Sequence, residues 1–283
     1  MDKIIDGKAI SAAVKERVAN EVAKLKEQGI VTGLAVIIVG EDPASKVYVR
    51  NKEKACEQCN MYSEKIALPY DTTQAELLDI ITELNNRKDI SGILCQLPLP
   101  KHINEEAVIN AIAPEKDVDA FHPQNVGKIM IGDYDFLPCT PAGVMELLRA
   151  KNIETCGKHC VIIGRSNIVG KPMSMLMLHA NATVTVCHSK TQNLKEIVQS
   201  ADIIVAAVGR AKFVTADMVK DGAVVIDVGI NRTDDGLCGD VDFEAVKEKA
   251  LAITPVPGGV GPMTIAMLMQ NTLTAAKRQN NID

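Results

Sequence analysis

Short, almost wholly apolar runs recur along this chain with helix-like stretches between them, and no other feature restricts its fold as strongly. Leu34–Val39, Gly92–Leu97, His159–Gly164, Ile203–Val208 and Ala223–Val228 have strand length and little polar alternation. Strands of that kind are buried on both faces, as in a parallel sheet covered by helices. The intervening patterns predict helices over Lys8–Gln28, from Asp42-Pro43 onward, and over Gln74–Asn85, Thr140–Lys151, Lys171–Ala180, Asn193–Gln199 and Pro262–Gln279. Two more strands are expected at Ser63–Leu68 and Thr183–Cys187. Strands alternating with helices imply a parallel α/β architecture, and the 283 residues suggest two domains at roughly 150 residues each. The stretch Pro114–Thr140, rich in Pro, Asp and Gly, reads as a loop-like connector between them.

Composition removes several functions. Lys and Arg number 31 against 36 Asp and Glu, a net charge of −5, with four Tyr, four Phe and no Trp. Neither a basic excess for phosphates nor an aromatic platform for bases is present, so no nucleic-acid partner is expected. The apolar runs are too short to span a bilayer, and the first seven residues lack the apolar run of a signal peptide. No membrane association and a cytoplasmic location are expected. The eight scattered cysteines are expected to be reduced thiols. Cys56-x-x-Cys59 lies in a helical pattern with no second pair, and His102, His122, His159, His179 and His188 form no ligand-spaced group, so no metal is expected.

The run Cys160-Val161-Ile162-Ile163-Gly164 enters Arg165-Ser166-Asn167-Ile168-Val169-Gly170 and then a helix. A buried strand, a glycine turn and a helix N-terminus form the place where a dinucleotide pyrophosphate meets backbone N–H groups. The spacing departs from Gly-x-Gly-x-x-Gly, and an ordinary strand-to-helix turn would read similarly. The next strand ends Val186-Cys187-His188-Ser189-Lys190, without the acid that binds the ribose hydroxyl of NAD. With Arg165 in the turn and Ser189 and Lys190 beyond it, the pattern favours the 2′-phosphate of NADP.

In the first half, Tyr48 and Lys52 share a helix face four residues apart, on a stripe that includes Ala44, Ala55 and Cys59. Lys52 either snorkels with its ammonium at the rim or is desolvated enough to move protons. Gln96 ends a strand, where α/β sheets place ligand groups. Asp117-Val118-Asp119 lies in the connector, where the acids could equally shape a turn. Pro257-Gly258-Gly259-Val260-Gly261-Pro262 alternates rigid and permissive positions, suiting either close backbone approach to a flat ligand or a tight crossover.

Tyr48-Val49-Arg50-Asn51-Lys52, Gly92-Ile93-Leu94-Cys95-Gln96-Leu97-Pro98-Leu99-Pro100, Lys116-Asp117-Val118-Asp119, Pro138-Cys139-Thr140-Pro141, the Gly164–Gly170 turn and Pro257–Thr264 occur in order. Together they resemble the bifunctional methylenetetrahydrofolate dehydrogenase/cyclohydrolase family over essentially the whole chain. The resemblance implies an α/β protein of two domains with a cleft between them. One is an N-terminal catalytic folate domain (1–138, with the C-terminal helix 262–283 packed back on it), the other a Rossmann-like NADP domain (139–261). It implies oxidation of methylenetetrahydrofolate by NADP, then hydrolysis to 10-formyltetrahydrofolate. Lys52 would transfer protons, Gln96 would orient it, and Tyr48 would pack on the folate. Asp119 would bind the pterin, and Pro257, Gly258 and Gly259 would line the folate cleft. Gly164, Arg165, Ser166, Ser189 and Ile230 would hold the dinucleotide, and a homodimer would form through that domain. Ala120 stands where the family usually has Gly; if that position requires positive φ, Ala carries a steric penalty that bears on the Asp119 loop. On the residues alone, a dehydrogenase of shikimate or amino-acid type, or a catalytically silent NADP-binding protein, would share the two-domain plan.

Overall fold

The computed structural model describes residues 3–234 and 236–282; the Ala44 side chain also lies outside the described set. The chain divides into two compact units, Ala12–Cys139 with the residues from Ile265 on, and the residues up to Ser11 with Thr140–Thr264.

The first unit contains most of α1 (Gly7–Glu27), then β1 (Gly33–Val39), α2 (Pro43–Gln58), β2 (Tyr62–Leu68), α3 (Gln74–Asn86), β3 (Gly92–Cys95), α4 (Glu105–Ala111) and α5 (Pro123–Ile131). Its three strands are parallel in the order β2-β1-β3. The central strand β1 is buried at all seven positions, as its unbroken apolar run requires. Asp42 caps α2 by accepting from Ser45 N at 2.7 Å, and Pro43 occupies the first turn, where its missing N–H has no intrahelical role. β3 stops at Cys95, before the expected Leu97. Gln96 N still donates to Ile37 O at 2.8 Å, but Pro98 has no N–H with which to extend the ladder.

The expected connector is not a continuous loop, because α5 lies within it. His122 caps α5, Pro123 opens it, and Gly132 closes it at φ 82°. Those are ordinary start and stop signals, hidden by a composition that otherwise resembles a loop. Helix α4 was also absent from the pattern reading, being only seven residues long.

The second unit runs α6 (Cys139–Ala150), β4 (His159–Ile163), α7 (Gly170–His179), β5 (Thr183–Cys187), α8 (Leu194–Gln199), β6 (Ile203–Ala206) and β7 (Val224–Asp227). It continues with the hairpin β8 (Asn231–Thr233) and β9 (Gly236–Cys238), α9 (Phe243–Lys249), β10 (Ala252–Ile253) and the start of α10 (Val260–Gln279). The unit boundaries fall within α1, α6 and α10. Five parallel strands lie in the order β5-β4-β6-β7-β10, a doubly wound sheet whose direction of winding reverses at β4. The residues up to Ser11 belong here because Ile5 N donates to Ile253 O at 2.9 Å and Ile253 N to Lys3 O at 2.8 Å, continuing the sheet past β10. Each unit has its own core: Ala35, Ile37, Leu77, Ile81 and Ile93 in the first, and Val161, Ile163, Ile204, Val225 and Ile253 in the second. Among the described residues no helix is long and apolar enough to cross a membrane.

Candidate active site

Lys52 lies on the third turn of α2, on the face whose neighbours Ala55 and Cys59 are buried. Its Nζ donates to Gln96 Oε1 at 2.8 Å. Gln96 sits just past β3, and its Nε2 donates to Leu97 O at 2.7 Å, so both ends of the amide are committed and its oxygen is held toward the lysine. Lys52 is therefore partnered inside the unit rather than snorkelling. Burial lowers its pKa below the usual lysine value, opposed by the nearby Asp119, Cys139 and Cys95 groups, which favour the cation.

Asp119 faces the same place. Burial pushes its carboxyl up to about 6, while the Lys52 charge and a contact from Cys139 pull it down. Cys139 Sγ lies 3.8 Å from Asp119 Oδ1 and 3.6 Å from Val118 O. Burial, followed by the Asp119 charge, holds that thiol well above its ordinary value, so it is a hydrogen-bond donor and not a thiolate nucleophile. The segment carrying Asp119 is built from backbone pairing. Ile93 N donates to Lys116 O at 2.8 Å, and Asp117 accepts from His122 N at 2.8 Å and Asn125 Nδ2 at 2.9 Å. Asp117 is thus the structural acid of the pair. Ala120 is fully buried at φ 58°, so the position does demand the left-handed conformation.

Tyr48 stands one turn before Lys52 on α2 with 43% of its surface exposed, an aromatic face available to a flat ligand. The first unit therefore brings together Lys52, Gln96 and Asp119, with Tyr48 beside them. Cys139, which contacts Asp119, is not among the expected site residues, although Pro138-Cys139-Thr140-Pro141 is one of the motifs that carry the resemblance. Asn271 in α10 donates to Val118 O, next to Asp119, and nothing local in the sequence marks it.

The remaining candidates lie in the second unit. Gly164 leaves β4 at φ 135°, where a Cβ would come within 2.2 Å of Ala207 O; Gly170 opens α7 where a Cβ would meet Gly164 O at 2.2 Å. The two glycines close the turn tightly at the winding reversal. Ser166 Oγ accepts from Val169 N at 3.2 Å and Gly170 N at 3.4 Å. Arg165 is exposed and makes no ion pair among the described residues. Ile163 pairs with Cys187, and Gly164 N donates to Cys187 O at 2.9 Å, so the Arg165 turn and the His188–Lys190 turn leave adjacent strand ends. Ser189 is exposed there, and no acid stands in that turn.

Ile230 follows β7, 49% exposed, between two anchored neighbours. Gly229 N donates to Asp227 Oδ1 at 2.9 Å, and Asn231 Nδ2 to Asp240 Oδ1 at 2.9 Å. Asp240, fully buried, also accepts from Val208 N, Gly209 N and Arg210 N at 2.6–2.9 Å, fixing the loop after β6. Pro257, Gly258 and Gly259 lie in this unit too. Gly258 has φ 109°, and a Cβ on Gly259 would come within 2.5 Å of Pro255 O. The glycines there serve the tight backbone path between β10 and α10; Pro257 is exposed.

A doubly wound parallel unit with its glycine turn at the winding reversal, carried on one chain with an α/β unit that buries a lysine–glutamine–aspartate set, defines a dinucleotide-binding α/β protein of the dehydrogenase class. Residues 5–119 match the tetrahydrofolate dehydrogenase/cyclohydrolase catalytic domain and residues 138–280 its NAD(P)-binding domain, and the chain belongs to that family. It is 61% identical over 274 residues to the bifunctional protein FolD of Halalkalibacterium halodurans, covering 97% of this chain and 98% of that protein. The structure of the bifunctional enzyme FolD-methylenetetrahydrofolate dehydrogenase/cyclohydrolase from Campylobacter jejuni superposes with a TM-score of 0.96 at 52% identity, covering 98% of this chain and 99% of that one. The Trypanosoma brucei N5,N10-methylenetetrahydrofolate dehydrogenase-cyclohydrolase, complexed with NADP cofactor and inhibitor, superposes at 0.93 with 41% identity and 98% coverage of both chains.

Proposed function

We propose that this chain oxidises methylenetetrahydrofolate to methenyltetrahydrofolate with NADP and hydrolyses the product to 10-formyltetrahydrofolate, two consecutive steps of one-carbon metabolism. It is a bifunctional dehydrogenase and cyclohydrolase of its family. The observation that carries the mechanism is the Lys52 Nζ–Gln96 Oε1 hydrogen bond at 2.8 Å, made in a buried setting beside Asp119.

The second unit fits NADP. The tight Gly164 turn leads to the N-terminus of α7, where an anion is favoured. An exposed guanidinium at Arg165, without an ion pair among the described residues, and a hydroxyl at Ser189 stand on adjacent strand ends with no acid in the His188–Lys190 turn, a donor set for a dianionic 2′-phosphate. Gly164, Ser166 and Ile230 complete the cofactor contacts we assign. NADP, when bound, takes up the hydride that leaves the methylene carbon.

In the hydrolytic step Lys52 does the proton work. Its burial-lowered pKa supplies neutral amine, which accepts a proton from the water adding to the methenyl carbon. The resulting ammonium returns a proton to the ring nitrogen as the carbon–nitrogen bond opens, and one proton is released to solvent as the formyl group forms. Gln96, fixed at both ends, aims the amine. Asp119 accepts from donor groups of the pterin, Tyr48 packs on the folate ring system, and the Pro257-Gly258-Gly259 backbone adds a folate contact. On this reading the unit of Ala12–Cys139 and the residues from Ile265 on serves folate, and the unit of Thr140–Thr264 serves NADP; the residues up to Ser11, expected within a folate domain of 1–138, belong to the latter unit.

We also assign a homodimer formed through the dinucleotide unit. Its outer strand β5 has one uncovered edge among the described residues; Val186 on that strand is 37% exposed and Leu178 on α7 is 53% exposed. The free thiols of all eight cysteines support a cytoplasmic location. A spectrophotometric assay with methylenetetrahydrofolate and NADP tests the function: NADPH appears, followed by decay of methenyl absorbance. NADPH formation without accelerated decay would remove the cyclohydrolase, and absence of both would overturn the reading.

A further inference from the structure

We infer that Asn271, in α10, is a positioning residue for the reaction: its side-chain amide holds the backbone at Val118 so that Asp119 stays beside the Lys52–Gln96 pair. The inference rests on the assignment of Asp119 to folate made above.

Asn271 is 5% exposed. Its Nδ2 donates to Val118 O and to Leu137 O, each at 2.8 Å, using both amide hydrogens. One acceptor belongs to the residue before Asp119 and the other to a residue two before Cys139, which itself contacts the Asp119 carboxylate. Its Nδ2 is also 3.8 Å from Cys139 Sγ. A single buried amide thus ties together the two segments that flank Asp119.

The need for such a tie is visible in the backbone. Ala120, the next residue, sits at φ 58° although it has a Cβ, a conformation that persists only where the surroundings over-determine it. On the far side Asp117 is pinned by His122 N and Asn125 Nδ2. On the near side Val118 packs against Gly92, where an added Cβ would lie 2.6 Å from Val118 Cγ1. These contacts fix Asp117 and the Val118 side chain; the carbonyl of Val118, the last peptide group before Asp119, accepts from Asn271 Nδ2 at 2.8 Å, with the weaker Cys139 thiol donor 3.6 Å away. Packing alone would not select asparagine here, since it is a weaker helix former than leucine and its polar end must be satisfied when buried.

The test is steady-state kinetics on purified full-length variants. Asn271→Leu keeps the approximate size and removes both donors. The KM values for methylenetetrahydrofolate and for methenyltetrahydrofolate are each expected to rise about tenfold, the equivalent of ~1.4 kcal/mol. The kcat values should stay within threefold and NADP affinity by calorimetry within twofold. Asn271→Ser, a milder change, should move both KM values the same way by about threefold, and it carries the test if the leucine variant does not fold. Adding Ala120→Gly to Asn271→Leu should recover at least threefold of the KM loss, because glycine adopts the left-handed conformation without a clamp. Falling kcat and melting temperature with unchanged KM would make Asn271 a structural residue and overturn the inference, as would absence of recovery in the double variant. Asp119→Asn separates the two readings. If it raises KM while the Asn271 variants do not, the folate assignment stands and the inference falls; if it leaves KM unchanged, both fall.

Discussion

Replacing Lys52 by Met probes the mechanism most directly. The thioether chain keeps most of the bulk on the α2 face that carries buried Ala55 and removes the amine whose Nζ is bonded to Gln96 Oε1 at 2.8 Å. Two losses follow. The proton carrier disappears, which general acid–base comparisons place at about 10²–10⁴ in rate. Gln96 Oε1 loses its donor in a half-buried setting, at a cost of about 1–3 kcal/mol. Because the Gln96 amide is still tethered through Leu97 O, its position should change little. The cyclohydrolase kcat should therefore fall at least a hundredfold. Hydride transfer, which depends chiefly on alignment of the reacting carbons, should fall about tenfold or less. Methenyltetrahydrofolate should accumulate, its absorbance persisting after NADPH formation ends. Parent cyclohydrolase also has a pH signature: burial favours the neutral amine, so activity should rise with pH through a value below the usual lysine range, and Lys52→Met should lack that limb. Methenyl hydrolysis at the parent rate in Lys52→Met would refute the proton-transfer role.

Arg165→Ala removes an exposed guanidinium, so the low end of a charge-assisted hydrogen bond applies, about 1.5 kcal/mol; the KM for NADP should rise about tenfold with little change for NAD, and equal effects on both would remove the 2′-phosphate role. Asp119→Asn should weaken folate binding for both reactions while sparing NADP, as measured by calorimetry. The Asp119 carboxyl is raised by burial to about 6, so ionising it disfavours folding: the penalty is absent below the unfolded value of 3.8 and complete above about 6. Asp119→Asn should thus melt above the parent at pH 7 and near it at pH 4, by thermal scans at both pH values. Asp240→Ala strips the acceptor from three backbone N–H groups and Asn231, so melting temperature should drop markedly and the KM for NADP should rise more than that for folate; equal changes in both KM values would argue against a role in holding the cofactor loops.

Local signals in the chain were enough for the alternating parallel architecture, since uninterrupted apolar runs such as Ala35–Val39 and Val161–Ile163 can only be buried on both faces. They also sufficed for the Asp42-Pro43 helix start and the glycine turn after Ile163, because caps and tight turns are encoded within a few residues. The α5 helix escaped that reading: of its residues only Asn125 and Ile129 are buried, so no apolar stripe marks it. The site depended on folding in a different way. Lys52 and Gln96 are 44 residues apart, and Asn271 is 153 residues from Val118, so no window of sequence contains either contact. Whether Lys52 snorkels or is desolvated was undecidable along the chain, because burial and charge at its ammonium come from β3, the Asp119 segment and Cys139. The sign of φ at Ala120 was likewise open until packing around Val118 and Asn271 fixed it, since isolated alanine prefers negative φ and only surrounding contacts can hold it otherwise.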